Sequence, residues 1–292
     1  MRLAIVADIH GNAPALEAVL ADARSQGCEG LLVAGDMVGG VANDEVVSLL
    51  REAQAVAVRG NNEDYVIALA TDSAPDAWHT SLQWAALRWS QRHTSRPALD
   101  FITALPAQRT VCLPGAPPIL LVHGSPLDAG DAIYPDQEPG KVDQALAGIE
   151  ETVLVCGHTH RPWCERRGAR LALNPGSAGF SCNGDPRAWY GLLAWDGQGW
   201  QAELRAVDYD RAQTCRLFAE RGLLAAGGGF ARALLLGVRT GQPVAMHLVR
   251  HARQVAGALG LGSEPVLPDE VWRQAAETFA WERWERPDGT GG

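Results

Sequence analysis

The chain has 292 residues, of which 47% are hydrophobic, so it is long enough to bury a substantial core as a globular protein. Its formal net charge of -9 excludes the broad electrostatic binding to nucleic acid or to anionic lipid that clustered Lys and Arg provide. A phosphate-bearing substrate would therefore need a local positive charge, and bound metal cations are the obvious source.

The six cysteines form no Cys-x-x-Cys pair and have no regular spacing. In a chain of this length they indicate reduced thiols in a cytoplasmic protein. Only one Arg and a short apolar run precede the first acidic residue, so we expect no signal peptide. We also expect no apolar stretch that spans a bilayer. Small molecules are the expected partners, and the formation of a homo-oligomer stays open.

The first half of the chain alternates buried strands with helices. A continuous apolar run over 3–7 ends in Asp8, His10 and a Gly11-Asn12 turn, and a helix is predicted over 13–26. A second strand and helix follow, and then a third strand. These two strands end at the Gly35-Asp36 and Gly60-Asn61-Asn62 sequences. Such alternation predicts parallel βαβ units, in which ligands bind beyond the carboxyl ends of the strands.

A helical insert is predicted from about 64 to 105. Its residues Trp78, Leu82, Ala85 and Trp89 form an apolar stripe at helical spacing, with Trp84 beside it. Two interpretations remain open for these tryptophans. They either pack the insert onto the domain or form a cap over the substrate.

Strands resume at 109–113, at 118–122 and at 152–156. The second of these runs into His123-Gly-Ser-Pro, and the third runs into Gly157-His158-Thr159-His160. Two antiparallel strands are predicted at 190–195 and 202–207. The proposed domain of residues 1–210 is followed by a helical C-terminal extension over 211–286, which contains a glycine joint at 227–229. The extension is interpreted as a dimer contact, a second cap or plain packing. The tail, 287–292, is expected to be disordered.

Five strand ends thus present side chains that bind metals. These candidate ligands are Asp8, His10, Asp36, Asn61, His123, His158 and His160. Residues two apart in an extended segment point to the same side, so each Asp-x-His or His-x-His pair can converge on one ion. Three oxygen ligands and four imidazoles suffice for two ions that share one carboxylate, and they leave positions for water and substrate.

The order of these motifs resembles that of the calcineurin-like metallophosphoesterases over roughly residues 1–210. With Asn12 and His123-Gly-Ser-Pro, the chain is most similar to their compact bacterial phosphodiesterase branch. The resemblance implies an α/β fold, a four-layer αββα sandwich of two mixed β-sheets flanked by helices, to which the insert and the extension are added. It further implies one metal held by Asp8, His10, Asp36 and His160, and a second held by Asp36, Asn61, His123 and His158, with Asp36 bridging.

The resemblance implies a metal-dependent phosphoesterase in which a two-metal-activated water hydrolyses a phosphodiester or a nucleotide phosphoanhydride. No catalytic side-chain nucleophile is needed. Two divalent ions are expected, with Mn first and Fe, Zn, Ni or Mg as alternatives. The family also includes dinucleoside polyphosphate hydrolases and protein phosphatases. A non-catalytic metal-binding scaffold for partner proteins is an alternative of another class.

Two asparagines are the candidate substrate-binding residues. Many relatives carry His after the third Gly-Asn, whereas this chain carries Asn62, which cannot act as a general acid. Asn62 therefore favours diesters or anhydrides over alkyl monoesters, unless it merely shapes the turn. Asn12 is expected either to hydrogen-bond phosphate or to hold the turn at Gly11.

Overall fold

The structure, a computed structural model, describes residues 1–262 and 264–285. The predicted disordered tail therefore lies outside the described residues. Strands are numbered along the chain: β1 Arg2–Val6, β2 Gly30–Ala34, β3 Val56–Val58, β4 Arg109–Val111, β5 Ile119–Leu121, β6 Val153–Val155, β7 Pro162–Arg167, β8 Arg170–Pro175, β9 Ala188–Trp195 and β10 Trp200–Val207.

The strands form two mixed sheets of five strands each. The first has the order β10-β9-β1-β2-β3, with β1, β2 and β3 parallel and β9 and β10 antiparallel. The second has the order β4-β5-β6-β8-β7, with β5, β6 and β8 parallel and β4 and β7 antiparallel at its edges. The parallel centre of each sheet brings several carboxyl strand ends to one edge, as the alternating sequence predicts.

The helices are likewise numbered along the chain: α1 Ala13–Ser25, α2 Asn43–Glu52, α3 Asn61–Ala70, α4 Asp76–Thr80, α5 Ala85–Arg92, α6 Arg96–Thr103, α7 Lys141–Ala147, α8 Arg211–Glu220, α9 Leu223–Thr240, α10 Val244–Ala258, α11 Asp269–Thr278 and α12 Glu282–Glu285. A single 3₁₀ turn, Leu82–Trp84, lies between α4 and α5.

Alternation along β1 separates two hydrophobic cores. Leu3 and Ile5 pack into the core between the two sheets, whereas Ala4 and Val6 face the helices outside the first sheet. Successive strand side chains point to opposite faces, so one apolar run serves both cores. A separate core packs α7 onto the outer face of the second sheet. The predicted sandwich of two mixed sheets flanked by helices is confirmed.

The insert departs from the continuous helical stripe that the sequence predicts. Ser81 is extended (φ -67°, ψ 152°), so α4 and α5 are separate helices. Arg88 Nη1 donates to the carbonyls of Trp78 at 2.8 Å and of Ser81 at 2.6 Å, and Leu82 N donates to Asp269 Oδ1 at 2.7 Å. These long-range partners satisfy the backbone groups that the break exposes.

The hairpin of β7 and β8 has no counterpart among the strands predicted from the sequence. The two strands meet at a turn in which Gly168 has φ +59°. β7 lies at the sheet edge and carries Glu165, Arg166 and Arg167, so it lacks a clear alternation of apolar residues. β8 is buried because it pairs in parallel with β6. That pairing is non-local and leaves no signal in a short window of sequence.

The predicted helical C-terminal extension is present as α8 to α12. The glycine joint lies inside α9, where Gly228 leaves the helical conformation (φ 53°, ψ -134°). Among the described helices, α9 is long and apolar enough to cross a membrane by length and composition alone, a helix that the sequence analysis did not single out. It contains Arg232 and Arg239 and packs against α5, α8 and α10. Trp272, Trp281 and Trp284 are buried in a core shared by α9 to α12.

Candidate metal centre

Most of the candidate ligands have an unusual backbone conformation. Asp8, His10, Asp36, His158 and His160 have φ between 47° and 69° and make up five of the seven non-glycine residues with positive φ in the described chain. This left-handed region is rarely used by side chains with a Cβ and is enriched at functional sites. Each of these residues lies in the turn that follows a strand, where the chain must reverse sharply.

The ligands form two adjoining groups of donor atoms. In the first group, His160 Nε2 lies 3.0 Å from His10 Nε2 and 3.5 Å from Asp8 Oδ1. In the second, His123 Nε2 lies 3.0 Å from Asn61 Oδ1 and 3.5 Å from Asp36 Oδ1. The other oxygen of Asp36, Oδ2, lies 3.7 Å from His10 Nε2 in the first group. Asp36 therefore stands between the two groups.

His158 lies beside this cluster. Its backbone N–H donates to both carboxylate oxygens of Asp8, at 3.2 and 3.0 Å. Its ring meets the ring of His123 edge-on, with centroids 5.1 Å apart. The structure thus brings all seven predicted ligands to one edge of the two sheets, with the His158 ring on the side of the second group.

Two ligand imidazoles are oriented by backbone carbonyls. His123 Nδ1 lies 2.8 Å from the carbonyl oxygen of Ala34, and His160 Nδ1 lies 2.5 Å from that of Phe180. A proton on each Nδ1 would donate to these oxygens and leave Nε2 with a free lone pair toward the centre. This is the usual way in which proteins fix the tautomer of a metal-binding histidine.

Three residues that sequence reasoning did not assign hold the ligand turns. Glu63 is fully buried and accepts hydrogen bonds from the backbone amides of Asp36, Val38 and Gly60 at 2.7 to 2.9 Å. Ser177 Oγ donates to the carbonyl of Asp8 at 2.7 Å, and Asn174 Nδ2 donates to that of Gly157. Glu63 lies two residues after Asn61, and Asn174 and Ser177 are the first and last residues of the Asn-Pro-Gly-Ser sequence that follows the His158-Thr-His160 motif. Their short sequence distance to the motifs is the signal that could have identified them.

Burial and charge shift the pKa values of the carboxylates in opposite directions. Burial, together with the neighbouring charge of Asp36, raises the pKa of Asp8 well above its usual value. Burial also opposes the ionisation of Asp36, but the charges of His123 and His10 and the hydrogen bonds that Asp36 accepts outweigh it, so its pKa is lowered. Burial and Asp36 together raise the pKa of Glu63 to about 7.

The pKa values of the imidazoles are also shifted in opposite directions. Burial lowers the pKa values of His10 and His158, and burial with the nearby His10 lowers that of His160 to about 3. For His123 burial acts in the same direction, but the charge and hydrogen bond of Asp36 overcome it and raise the pKa to about 10. His10, His158 and His160 are therefore unprotonated near neutral pH, whereas His123 holds a proton that a metal ion must displace.

The two asparagines expected to bind substrate differ in their surroundings. Asn12 is buried, with its Nδ2 3.0 Å from the carbonyl of Gly179 and 3.2 Å from Tyr209 Oη. Its Oδ1 accepts from Ala15 N at the start of α1 and from Thr214 Oγ1 in α8. These four contacts describe a residue that holds the turn and caps the helix.

Asn62 is partly exposed at the start of α3. Its backbone N–H donates to Asp36 Oδ1 at 2.8 Å and its Nδ2 donates to Asp36 Oδ2 at 2.5 Å. Its side chain also lines the cavity beside the metal ligands, so its amide group faces both the central carboxylate and the space open to a ligand.

A cavity of 360 Å³ opens beside the donor cluster and is lined by His10, Asn61, Asn62 and His160. Its other walls come from the insert and from the C-terminal helices, and include Trp84 and Trp272. The two interpretations, packing and a cap, therefore apply to different tryptophans. Trp84 forms part of the cavity, and Trp89 is buried in the core against the first sheet.

Comparison with known families adds to this geometry. Residues 1–197 match the model of the calcineurin-like phosphoesterase superfamily domain, which is more than half of the chain. The chain belongs to the calcineurin-like phosphoesterase superfamily. It is accordingly a hydrolase of the metallophosphoesterase type, in a metal-dependent family.

Relatives of this calcineurin-like phosphoesterase align with about two thirds of the chain or more. The Escherichia coli (strain K12) phosphodiesterase YfcE is 30% identical over 204 residues, which are 66% of this chain and 87% of YfcE. An uncharacterized protein of Methanocaldococcus jannaschii is 27% identical over 226 residues, which are 71% of this chain and 88% of that protein.

Two solved structures share the fold. A metallophosphoesterase from Sphaerobacter thermophilus aligns with a TM-score of 0.64 and 26% identity, over 78% of this chain and 100% of that one. A hypothetical protein from Pyrococcus horikoshii OT3 aligns with a TM-score of 0.65 and 21% identity, over 76% of this chain and 94% of that one. The second likeness concerns the fold alone.

Proposed function

We propose that this phosphoesterase is a phosphodiesterase that uses two divalent metal ions. One ion would be held by Asp8, His10, Asp36 and His160, and the other by Asp36, Asn61, His123 and His158. The observation that carries this proposal is the position of Asp36, whose two oxygens face His10 Nε2 at 3.7 Å and His123 Nε2 at 3.5 Å. A carboxylate between two groups of nitrogen and oxygen donors is suited to bridging two ions.

The donor set fits the ions in question. Carboxylate and amide oxygens with imidazole nitrogens suit Mn²⁺, which we propose as the native ion, and also accept Fe, Zn, Ni or Mg. When bound, two such ions would acidify a water molecule and neutralise phosphate oxygens. The protein residues would hold the ions, exclude bulk water through burial, and orient the substrate.

The absence of an acidic proton on Asn62 favours a diester as the substrate. A leaving alkoxide from an alkyl monoester needs a proton, and Asn62 has no acidic proton to give. A diester or anhydride with a more stable leaving group suffers less from this lack. The name of the relative YfcE, a phosphodiesterase, supports the same substrate class. Asn62 would instead donate its amide N–H to a phosphate oxygen.

We also propose a cytoplasmic location. All six cysteines are free thiols, and Cys156 is buried, with a pKa raised by its burial and by Asp8. Unpaired cysteines in a chain of this size are typical of reducing compartments.

The test is hydrolysis of bis(p-nitrophenyl) phosphate and of p-nitrophenyl phosphate by metal-stripped protein refilled with Mn²⁺, together with metal analysis. We expect about two ions per chain and faster turnover of the diester. Asp36→Asn should lose at least about 10²-fold in rate and bind fewer ions, because it removes the shared anionic ligand. Asp72→Asn is the matched control, since Asp72 is exposed and has a similar φ of 52°.

Two outcomes would overturn the proposal. If the monoester is the better substrate, the diester preference is wrong. If one ion per chain gives full activity, the two-metal assignment is wrong.

A further inference from the structure

The cavity beside the metal centre has a mostly apolar lining. Among the described residues that line it there is no Asp, Glu, Lys or Arg. Its polar side chains are the metal ligands and Asn62 at one end, and Tyr65, Gln83, Ser181 and Gln242 elsewhere. The remaining lining is mostly aromatic or aliphatic. Such a surface stabilises an uncharged apolar group and offers no cation for a second phosphate.

Two walls of the cavity come from parts of the chain that lie far apart in sequence. Trp84 and Leu87 belong to the insert, whereas Phe230 and Leu234 lie on α9 and Val249 lies on α10. The match to the family model ends at residue 197. The α9 and α10 wall therefore lies outside the region that the family model matches.

The cavity adjoins the metal centre, so a group bound in it would belong to the substrate. His10, Asn61 and His160 line one end, so a molecule that places its phosphate at the metal centre would extend its ester group between the two walls. The volume, 360 Å³, lies within the range of about 300–1,000 Å³ that is usual for small-molecule pockets. Met246, which is 61% exposed, lies at the rim and leaves a path for entry.

One cationic side chain lies in a different cleft. Arg161 lines a neighbouring cleft that shares Cys182, Gln242 and Pro243 with the apolar cavity. Its guanidinium lies 3.9 Å from the carboxylate of Asp136 and over the ring of Tyr134. An anionic chain of further phosphates would therefore find its cation outside the apolar cavity.

We propose that this cavity binds an uncharged, apolar alkyl or aryl group that is esterified to the phosphate. The enzyme would then prefer phosphodiesters in which one of the two esterified groups is apolar. The inference rests on the proposed phosphodiesterase function and names the substrate class of that same site. Selectivity would come from burial of the apolar group between the insert and the C-terminal helices, while the metal centre acts on the phosphate.

The experiment uses p-nitrophenyl phosphodiesters that differ only in the second ester group. The groups are methyl, propyl, hexyl, 2-naphthyl and thymidine 5′-yl, so the leaving group stays the same. We expect kcat/KM to rise about threefold per methylene until the cavity is filled, and about tenfold or more from methyl to 2-naphthyl. The thymidine ester, which is larger but polar, should gain less than the naphthyl ester.

Two variants test the location of the effect. Ala245→Trp adds a large side chain to the cavity lining, and Leu234→Ala removes apolar lining from α9. Both should lower the ratio of the naphthyl to the methyl rate several-fold. Gln254→Trp places the same large side chain at an exposed position of α10 outside the cavity and should leave the ratio unchanged. Circular dichroism checks that each variant is folded.

A binding measurement tests the affinity of the cavity for an apolar group independently of hydrolysis. Calorimetric titration of the Mn²⁺-loaded protein with 2-naphthylphosphonate and with methylphosphonate, which have no ester bond to hydrolyse, should show tighter binding of the naphthyl compound, by about tenfold or more, and Ala245→Trp should reduce this difference.

The two proposals fail in different ways. The cavity assignment would be wrong if all diesters were hydrolysed at rates that do not depend on the apolar group, or if the thymidine ester were preferred. Either result would leave the phosphodiesterase proposal intact. If the naphthyl compound bound selectively but no diester were hydrolysed, the phosphodiesterase proposal would be wrong and the assignment of the cavity to an apolar group would stand.

Discussion

The backbone amide of Asp36 donates to Glu63 Oε2 at 2.7 Å, so a buried glutamate in α3 holds the chain at the central aspartate. The same oxygen accepts from Gly60 N, and Oε1 accepts from Val38 N. One side chain thus fixes the turns after β2 and β3 relative to each other. The relative position of Asp36 and Asn61 depends on it.

Replacing Glu63 should weaken both the fold and the metal centre. Glu63→Gln puts an N–H₂ group where one carboxylate oxygen accepted hydrogen bonds, so at least one buried amide loses its acceptor. The free energy of unfolding should fall by about 1–3 kcal/mol, and metal affinity by about 10- to 100-fold. Urea unfolding and a metal titration measure the two effects. The control, Glu17→Gln, changes an exposed residue of α1 and should alter neither quantity. Wild-type metal affinity in Glu63→Gln would contradict this role.

Metal uptake should release a proton from His123. Asp36 raises the pKa of His123 to about 10, so this imidazole is protonated at pH 8 before a metal binds its Nε2. The proton competes with the ion, and the apparent affinity should therefore rise with pH, by up to about tenfold per unit below pH 10. Titration of the metal-stripped protein with Mn²⁺ in two buffers of different ionisation enthalpy gives the number of protons.

Variants at two histidines assign that proton. We expect about one fewer proton released in His123→Asn and no change in His79→Asn, which alters a histidine of α4. Equal proton release by His123→Asn and the wild type would show that the proton comes from another group.

Replacing Asn12 distinguishes structural support from substrate contact. Asn12→Ala removes the cap of α1 and leaves Thr214 Oγ1 and the carbonyl of Gly179 without this partner. We expect the free energy of unfolding to fall by about 1–3 kcal/mol and the KM of the folded enzyme to stay within about twofold. Asn183→Ala, at an exposed loop, is the comparison. A KM raised by tenfold or more, with stability unchanged, would instead indicate direct binding of phosphate by Asn12.

Gly179 should not tolerate a side chain. A Cβ at this position would overlap the carbonyl oxygen of Ile9 in the turn that carries Asp8 and His10. Gly179→Ala should therefore shift that turn, lower the melting temperature by several degrees and reduce metal binding. Gly257→Ala is the matched control, because a Cβ there meets nothing within 4 Å and Ala favours a helix. An unchanged melting temperature in Gly179→Ala would contradict the predicted overlap.

The sequence by itself determined the strands that carry the ligands. Largely apolar runs at 3–7, 118–122 and 152–156 predicted β1, β5 and β6 to within about two residues, and the second and third strands along the chain were placed before Gly35-Asp36 and Gly60-Asn61, where β2 and β3 lie. These elements are local and strongly apolar, so their pattern survives in a short window of sequence. The motif order then led to the family and to the two mixed sheets.

Only the tertiary structure decided which side chains support the ligands and what lies beside them. Glu63, Ser177 and Asn174 bond to backbone groups brought near them by folding, and a buried polar residue gives no periodic signal. The hairpin of β7 and β8 depends on a non-local parallel partner. The cavity wall joins the insert to helices more than a hundred residues away, such as α9. Local patterns encode strand ends, whereas packing between distant segments fixes the shape and polarity of the space that a substrate enters.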